Sequence, residues 1–222
     1  MQMSDTKTLP DTVYAAPAEW VARGAGAQGN LFLTGRAGTG KTTMLRRFLA
    51  EAGENTVVLA PTGVAAMNAG GQTIHSFFKF PPRLIEEADI KRLRGARLIK
   101  AIETMIIDEI SMVRADMLDA IDKSLQLNRG NKRPFGGVRM ILSGDLHQLP
   151  PVARGEEAEI LNERYGGHYF FNAPAFKQAE FALLALKHVF RQEDPRFLAL
   201  LGAMRQGRLA PTDERLLQEA VS

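Results

Sequence analysis

Short apolar runs separated by stretches of helical period set the pattern of this chain. The runs Asn30 to Thr34, Thr56 to Ala60, Glu103 to Asp108, Val138 to Ser143 and Phe181 to Leu186 place apolar side chains on consecutive rather than alternating positions. Strands buried on both faces read this way. Between and beyond them, helical periodicity fits Thr42 to Ala52, Ala65 to Ala69, Arg114 to Leu127, Glu156 to Tyr165, Pro195 to Gln206 and Asp213 to Val221. Strands alternating with helices predict an α/β fold, a parallel sheet with helices on both faces, and a ligand site at the strands' carboxyl ends. Residues 1–12 are polar, contain Pro10 and show no period, so residues 1–29 read as a loose tail and leading helix. Residues 30–210 read as one body and 211–222 as a C-terminal helix at a boundary.

Composition narrows this without identifying it. With 222 residues, 45% apolar and 24% charged, the chain is expected to form one domain with a small insertion. It contains no Cys, which excludes disulfides and thiolate metal sites and suits a reducing compartment. No run approaches the ~20 apolar residues of a membrane span, and the first 30 residues lack a basic-then-apolar signal pattern. The expected location is therefore the cytosol or nucleoid, or the nucleus or mitochondrion of a eukaryote. A net charge of +3 and a pI near 9.3 are too mild to indicate nucleic acid. Distribution says more: from Lys79 to Lys100, seven basic residues stand against three acidic ones, a local +4. That stretch reads either as a solvated helix face or as a contact for a polyanion. A loop from Asn128 to Gly137 adds Arg129, Lys132 and Arg133.

Gly35-Arg36-Ala37-Gly38-Thr39-Gly40-Lys41-Thr42 fits the phosphate-loop pattern and lies between a strand and a helix start. Its glycines allow successive N–H groups to converge on phosphate oxygens. Lys41 is expected on the β and γ phosphates of ATP and the Thr42 hydroxyl on Mg²⁺. The nucleotide set is thus Gly35, Gly38, Thr39, Gly40, Lys41, Thr42 and Thr43. Downstream, Met105-Ile106-Ile107 ends in Asp108 and Glu109. Asp108 suits Mg²⁺ and Glu109 suits a general base for water; taken alone the pair reads equally as a helix cap. After the next strand comes Gly144-Asp145-Leu146-His147-Gln148-Leu149-Pro150-Pro151-Val152, in which Gln148 suits a γ-phosphate sensor and the prolines stiffen the loop.

Taken in order, these pieces resemble the petite-integration-frequency (Pif) family of superfamily 1 DNA helicases, with RecD-like helicases as relatives. The likeness runs from about Asn30 to Gly207 and includes Ala60-Pro61-Thr62-Gly63-Val64-Ala65-Ala66, Gln72-Thr73-Ile74-His75-Ser76-Phe77-Phe78, Pro134-Phe135-Gly136-Gly137 and Phe190-Arg191-Gln192. It implies a RecA-like phosphate-loop domain that moves 5′ to 3′ on single-stranded DNA and acts at DNA junctions. The roles it implies are repair, recombination and telomere maintenance. Family members touch single-stranded DNA through segments that map to Thr62, Gly63, Val64, Thr73, His75 and Phe77. Stacking on bases and burial in the core both suit Phe77 and Phe78. Arg191 corresponds to a γ-phosphate arginine, with an ion pair to Glu193 or Asp194 as the other reading. The stretch around 79–100 takes the place of the family's inserted wedge.

Two departures stand out. The family's upstream adenine-reading Gln has no counterpart near Ala16-Pro17-Ala18-Glu19-Trp20, which leaves Tyr14 or Trp20 to pack on a purine. The chain also ends at Ser222, where the family's second RecA-like domain begins, so the expectation for this chain alone is weak nucleotide binding without unwinding. The competing reading is a module that binds single-stranded DNA or a partner without ATP turnover. Thr73 to Phe78 and Gly144 to Val152 argue against an unrelated phosphate-loop kinase.

Overall fold

The computed structural model describes residues 29–186. Six strands form one sheet: β1 (Asn30–Gly35), β2 (Thr56–Ala60), β3 (Gln72–Thr73), β4 (Thr104–Ile107), β5 (Arg139–Gly144) and β6 (Phe181–Leu186). Their order is β3-β2-β4-β5-β1-β6, and every pairing is parallel. The helices are α1 (Lys41–Glu51), α2 (Gly63–Ala69), α3 (Ile74–Phe78), α4 (Ala96–Ala101), α5 (Ala115–Arg129), α6 (Glu156–Tyr165) and α7 (Pro174–Gln178). The expected helices at 195–206 and 213–221 lie outside the described residues.

The consecutive apolar runs are explained by two cores, one on each side of the sheet. Leu31 and Leu33 of β1, Ile106 of β4 and Ile141 of β5 pack with Met44, Leu45 and Phe48 of α1. The intervening Phe32, Met105, Ile107, Met140 and Leu142 face the other way, onto a larger cluster with Leu118, Ile121 and Leu125 of α5. Each fully buried Leu, Ile or Phe contributes about 2 kcal/mol on transfer from water, so both faces must be covered.

α5 is the spine of the second face, and its few buried polar groups hold the surrounding loops. The Asp122 carboxylate accepts the N–H of Phe135 at 2.5 Å, and the Arg129 guanidinium donates to the carbonyl of Gly136 at 2.8 Å. These bonds hold Phe135, fully buried, at φ 52, a left-handed conformation that a bulky residue adopts only when its surroundings enforce it. The Pro-Phe-Gly-Gly motif is therefore a clamp on α5 and the entry to β5.

The basic stretch is not a helix face. Only Ala96–Ala101 is α-helical, with a single 3-10 turn at Glu87–Asp89. It is the return connection from β3 to β4, laid along α5. Near its start, the Asp116 carboxylate accepts the Ile85 N–H at 2.9 Å and Glu157 accepts the Leu84 N–H at 3.2 Å. Arg114 pairs with Asp116 through two bonds of 2.9 and 2.8 Å and donates to the Arg83 carbonyl at 2.8 Å. Near its end, Asn128 accepts the Leu93 N–H at 2.8 Å and donates to the Lys91 carbonyl at 3.3 Å. Ile85 and Ile99 are buried, so the insertion is packed as well as bonded.

Candidate nucleotide and nucleic-acid site

Parallel strands bring their carboxyl ends to one edge, and the expected motifs sit there together. Gly40 precedes α1 at φ 88 and Gly38 has φ 79, both in the left-handed region. No side chain caps the N-terminus of α1, and its first turn carries no acidic residue. First-turn N–H groups without intrahelical partners, unblocked by any carboxylate, fit a phosphate anion. The Lys41 ammonium reaches back to the carbonyls of Gly35 at 2.7 Å and Arg36 at 3.1 Å. Thr42 and Thr43 are exposed on the first turn. Thr39 differs from expectation: it is buried, and its hydroxyl donates to the Arg36 carbonyl at 2.8 Å, so the side chain supports the loop itself.

β4 delivers Asp108 and Glu109. The Asp108 carboxylate accepts the Glu109 N–H at 3.0 Å, and Glu109 takes φ 52, which turns its side chain away from the line of the strand. Burial is the main cause that raises the Glu109 carboxyl above its usual range. The charges of Asp108 and Asp145 push the same way, and Lys41 opposes them. A carboxylate with raised proton affinity beside a phosphate loop suits a general base. Asp145, buried at the end of β5, accepts the His147 N–H at 3.1 Å and a long bond from the Gln148 amide at 3.5 Å. Gln148 itself is exposed. Among the described residues no group of three His, Asp or Glu side chains forms a cation cage. The oxygens present fit a magnesium ion shared between Thr42, Asp108 and phosphate oxygens better than an all-protein site.

One cleft of about 290 Å³ joins these parts to the next element. From the nucleotide motifs it is lined by Thr42, Asp108, Glu109, Met112, Gln148 and Leu149, and from α2 and its cap by Thr62, Val64, Ala65 and Asn68. Gly63 opens α2, on which Val64, in the cleft wall, and Met67, outside it, are 73% and 82% exposed, apolar side chains available to a ligand. Thr62 and Thr73, expected on single-stranded DNA, each cap a helix: the Thr62 hydroxyl accepts the Ala65 N–H at 3.2 Å and the Thr73 hydroxyl accepts the Ser76 N–H at 3.2 Å. Capping uses the oxygen lone pair and leaves each O–H able to donate. His75 is half-buried; burial, then the nearby Arg114, hold its pKa below the ordinary value, with Asp116 opposing. Phe78 is core, stacked on Phe80 with centroids 5.2 Å apart, while Phe77 is partly buried edge-on to Phe78. Thr73, His75 and Phe77 do not line the cleft. Arg191, Tyr14 and Trp20 lie outside the described residues.

Sequence reasoning passed over Asp145, Arg114 and Asp116. Asp145 stands in a motif already singled out, but the signals for the other two are long-range bonds that no local pattern encodes.

Comparison with known proteins gives one answer. A family model described as PIF1-like helicase matches residues 11–215. The ATP-dependent DNA helicase PIF1 of Emericella nidulans is 34% identical over 203 residues, covering 86% of this chain and 26% of that protein. The PIF1 helicase of Homo sapiens is 35% identical over 198 residues, covering 87% of this chain and 30% of that protein. A crystal structure of Pif1 helicase from Bacteroides in complex with ADP-AlF3 and single-stranded DNA superposes with a TM-score of 0.85 at 42% identity, covering 90% of this chain and 48% of that one. This chain thus spans about a third or less of these two relatives and about half of that solved structure. It belongs to the PIF1-like helicase family.

Proposed function

We propose that this chain is the nucleotide-hydrolysing motor domain of an ATP-dependent DNA helicase that moves 5′ to 3′ on single-stranded DNA in genome maintenance. The observation that carries this reading is the shared cleft, in which Thr42, Asp108, Glu109 and Gln148 meet Thr62 and Val64 of a segment assigned to DNA. Lys41 and the first turn of α1 bind the β and γ phosphates. Thr42 and Asp108 hold magnesium, which when bound neutralises charge on the phosphate oxygens. Glu109 takes the proton of the attacking water. Gln148, tethered through Asp145, follows the γ-phosphate, and its neighbour Leu149 passes any shift of that loop to α2 across the cleft. At the α2 wall of that cleft, Gly63, Val64 and the O–H of Thr62 touch the DNA strand, joined outside it by Thr73, His75 and Phe77. A Pif1 structure from Bacteroides bound to single-stranded DNA, superposing at a TM-score of 0.84, supports this assignment.

Coupling between the two ligands tests it. Affinity for an oligothymidine should change several-fold when a non-hydrolysable ATP analogue and Mg²⁺ are present, and Lys41→Ala should abolish the change. Single-strand affinity indifferent to nucleotide would support a binding module without turnover instead.

A further inference from the structure

Apart from exposed Lys79 at its start, the cations of the insertion, taken with Arg114, Lys132 and Arg133 at the ends of α5, divide into two sets by their place in the fold. Because β4 ends at the carboxyl edge and β5 begins at the amino edge, α5 between them returns from one edge to the other. The Arg129 guanidinium confirms its direction, donating at 2.8 Å to the carbonyl of Ile102, just before β4 begins. Arg83 and Arg114, at the nucleotide edge, are engaged by Asp89, Asp116 and Glu157. At the far edge, Lys91, Arg92, Arg94, Arg97 and Lys100 are all exposed, as are Lys132 and Arg133 just beyond α5. None of these seven makes an ion pair among the described residues.

Three features distinguish this face from an ordinary solvated one. Across residues 90–103 and 128–139 the sole carboxylate is Glu103, which accepts from Asn55 at 3.3 Å. The backbone that carries the cations is fixed by Asn128 and by buried Ile99, so little ordering is needed on binding. The only aromatic residue in those stretches is Phe135, which is fully buried, so they offer no ring on which an unpaired base could stack. A polyanion that offers phosphates and hides its bases is a duplex. Asp116 and Asn128, which anchor the two ends of the insertion, are twelve positions apart on α5, about 18 Å at the helical rise, so the face is well separated from the cleft.

We propose that this amino-edge face binds the phosphate backbone of the double-stranded part of a DNA substrate while the carboxyl edge holds the single strand. The proposal rests on the reading of the chain as a DNA motor. It is tested with the full chain by fluorescence anisotropy on a ~20-base-pair duplex and on oligothymidine of similar length, over about 50 to 200 mM salt. Combined Arg92→Gln, Arg94→Gln, Arg97→Gln and Lys100→Gln should weaken duplex binding at least about tenfold and flatten its log–log salt slope by about 3, with oligothymidine affinity kept within about twofold. Retained single-strand binding shows that the variant is folded; should it not fold, Lys91→Gln with Lys132→Gln is expected to flatten the slope by about 2. Unchanged duplex affinity, equal loss on both DNAs, or equally strong competition by polyglutamate would overturn the proposal. Failure of the motor reading shows separately, as wild-type single-strand binding that ignores nucleotide and Lys41.

Discussion

Gly144 lies so close to Ile110 that a Cβ on it would sit 2.9 Å from the Ile110 Cγ2 and 3.1 Å from the Ser111 N–H nitrogen. The end of β5, which carries Asp145 and Gln148, is thereby pressed against the turn that follows Glu109. This contact fixes the distance between the proposed base and the proposed γ-phosphate sensor. Gly144→Ala should cost about 1–3 kcal/mol through overpacking. It should also lower kcat for ATP hydrolysis at least about tenfold by moving Gln148 away from Glu109. Thermal melting and steady-state kinetics check the two effects; wild-type kcat in the variant would detach Gln148 from the chemistry.

The acid limb of the pH profile should report Glu109. A base must be ionised to accept a proton, and burial, assisted by Asp108 and Asp145, raises its pKa. The limb of kcat/KM for ATP should therefore lie above the ordinary carboxylate range, and activity should fall as pH drops through it. Asp145→Asn removes one of the charges that raise it, so the limb should move to lower pH. A limb that stays put, or moves up, contradicts the assignment of Glu109.

Asn128 should matter to the insertion and not to the nucleotide site. Asn128→Ala leaves the Leu93 N–H without its partner and should cost about 1–3 kcal/mol. Hydrogen exchange at Leu93 should accelerate while exchange along α1 stays unchanged. Uniform acceleration would mean that the insertion unfolds only with the whole domain.

His75 should contact DNA as a neutral ring. Burial and Arg114 lower its pKa against the opposing Asp116, so between pH ~8.5 and ~7.5, above the ordinary imidazole value, single-strand affinity and its salt slope should stay unaltered. A slope that steepens by about 1 in wild type and not in His75→Gln would show a cationic contact.

How much of this was legible in the sequence depended on whether the signal was local. β1, β2, β4, β5 and β6 carry continuous apolar runs and were readable to within a residue or so at each end. β3 is only Gln72 and Thr73, and α3 is five residues, both too short to show a period. The nucleotide motifs were readable because a phosphate loop needs its glycines, Lys and Thr in one contiguous order. The path of the insertion has no local signature because its shape is imposed from a distance, by Asp116, Asn128 and Glu157. Thr62 and Thr73 illustrate a different limit: the resemblance assigns each to DNA, although a Thr before a short helix is also a capping signal. One side chain can serve both ends.

A motor domain that couples the two ligands should show DNA-stimulated ATP hydrolysis, measured on the wild-type chain and on Lys41→Ala at saturating ATP. Hydrolysis should rise on addition of single-stranded DNA and be lost in Lys41→Ala. Salt-sensitive binding of single-stranded DNA with no hydrolysis in either protein would contradict the motor reading.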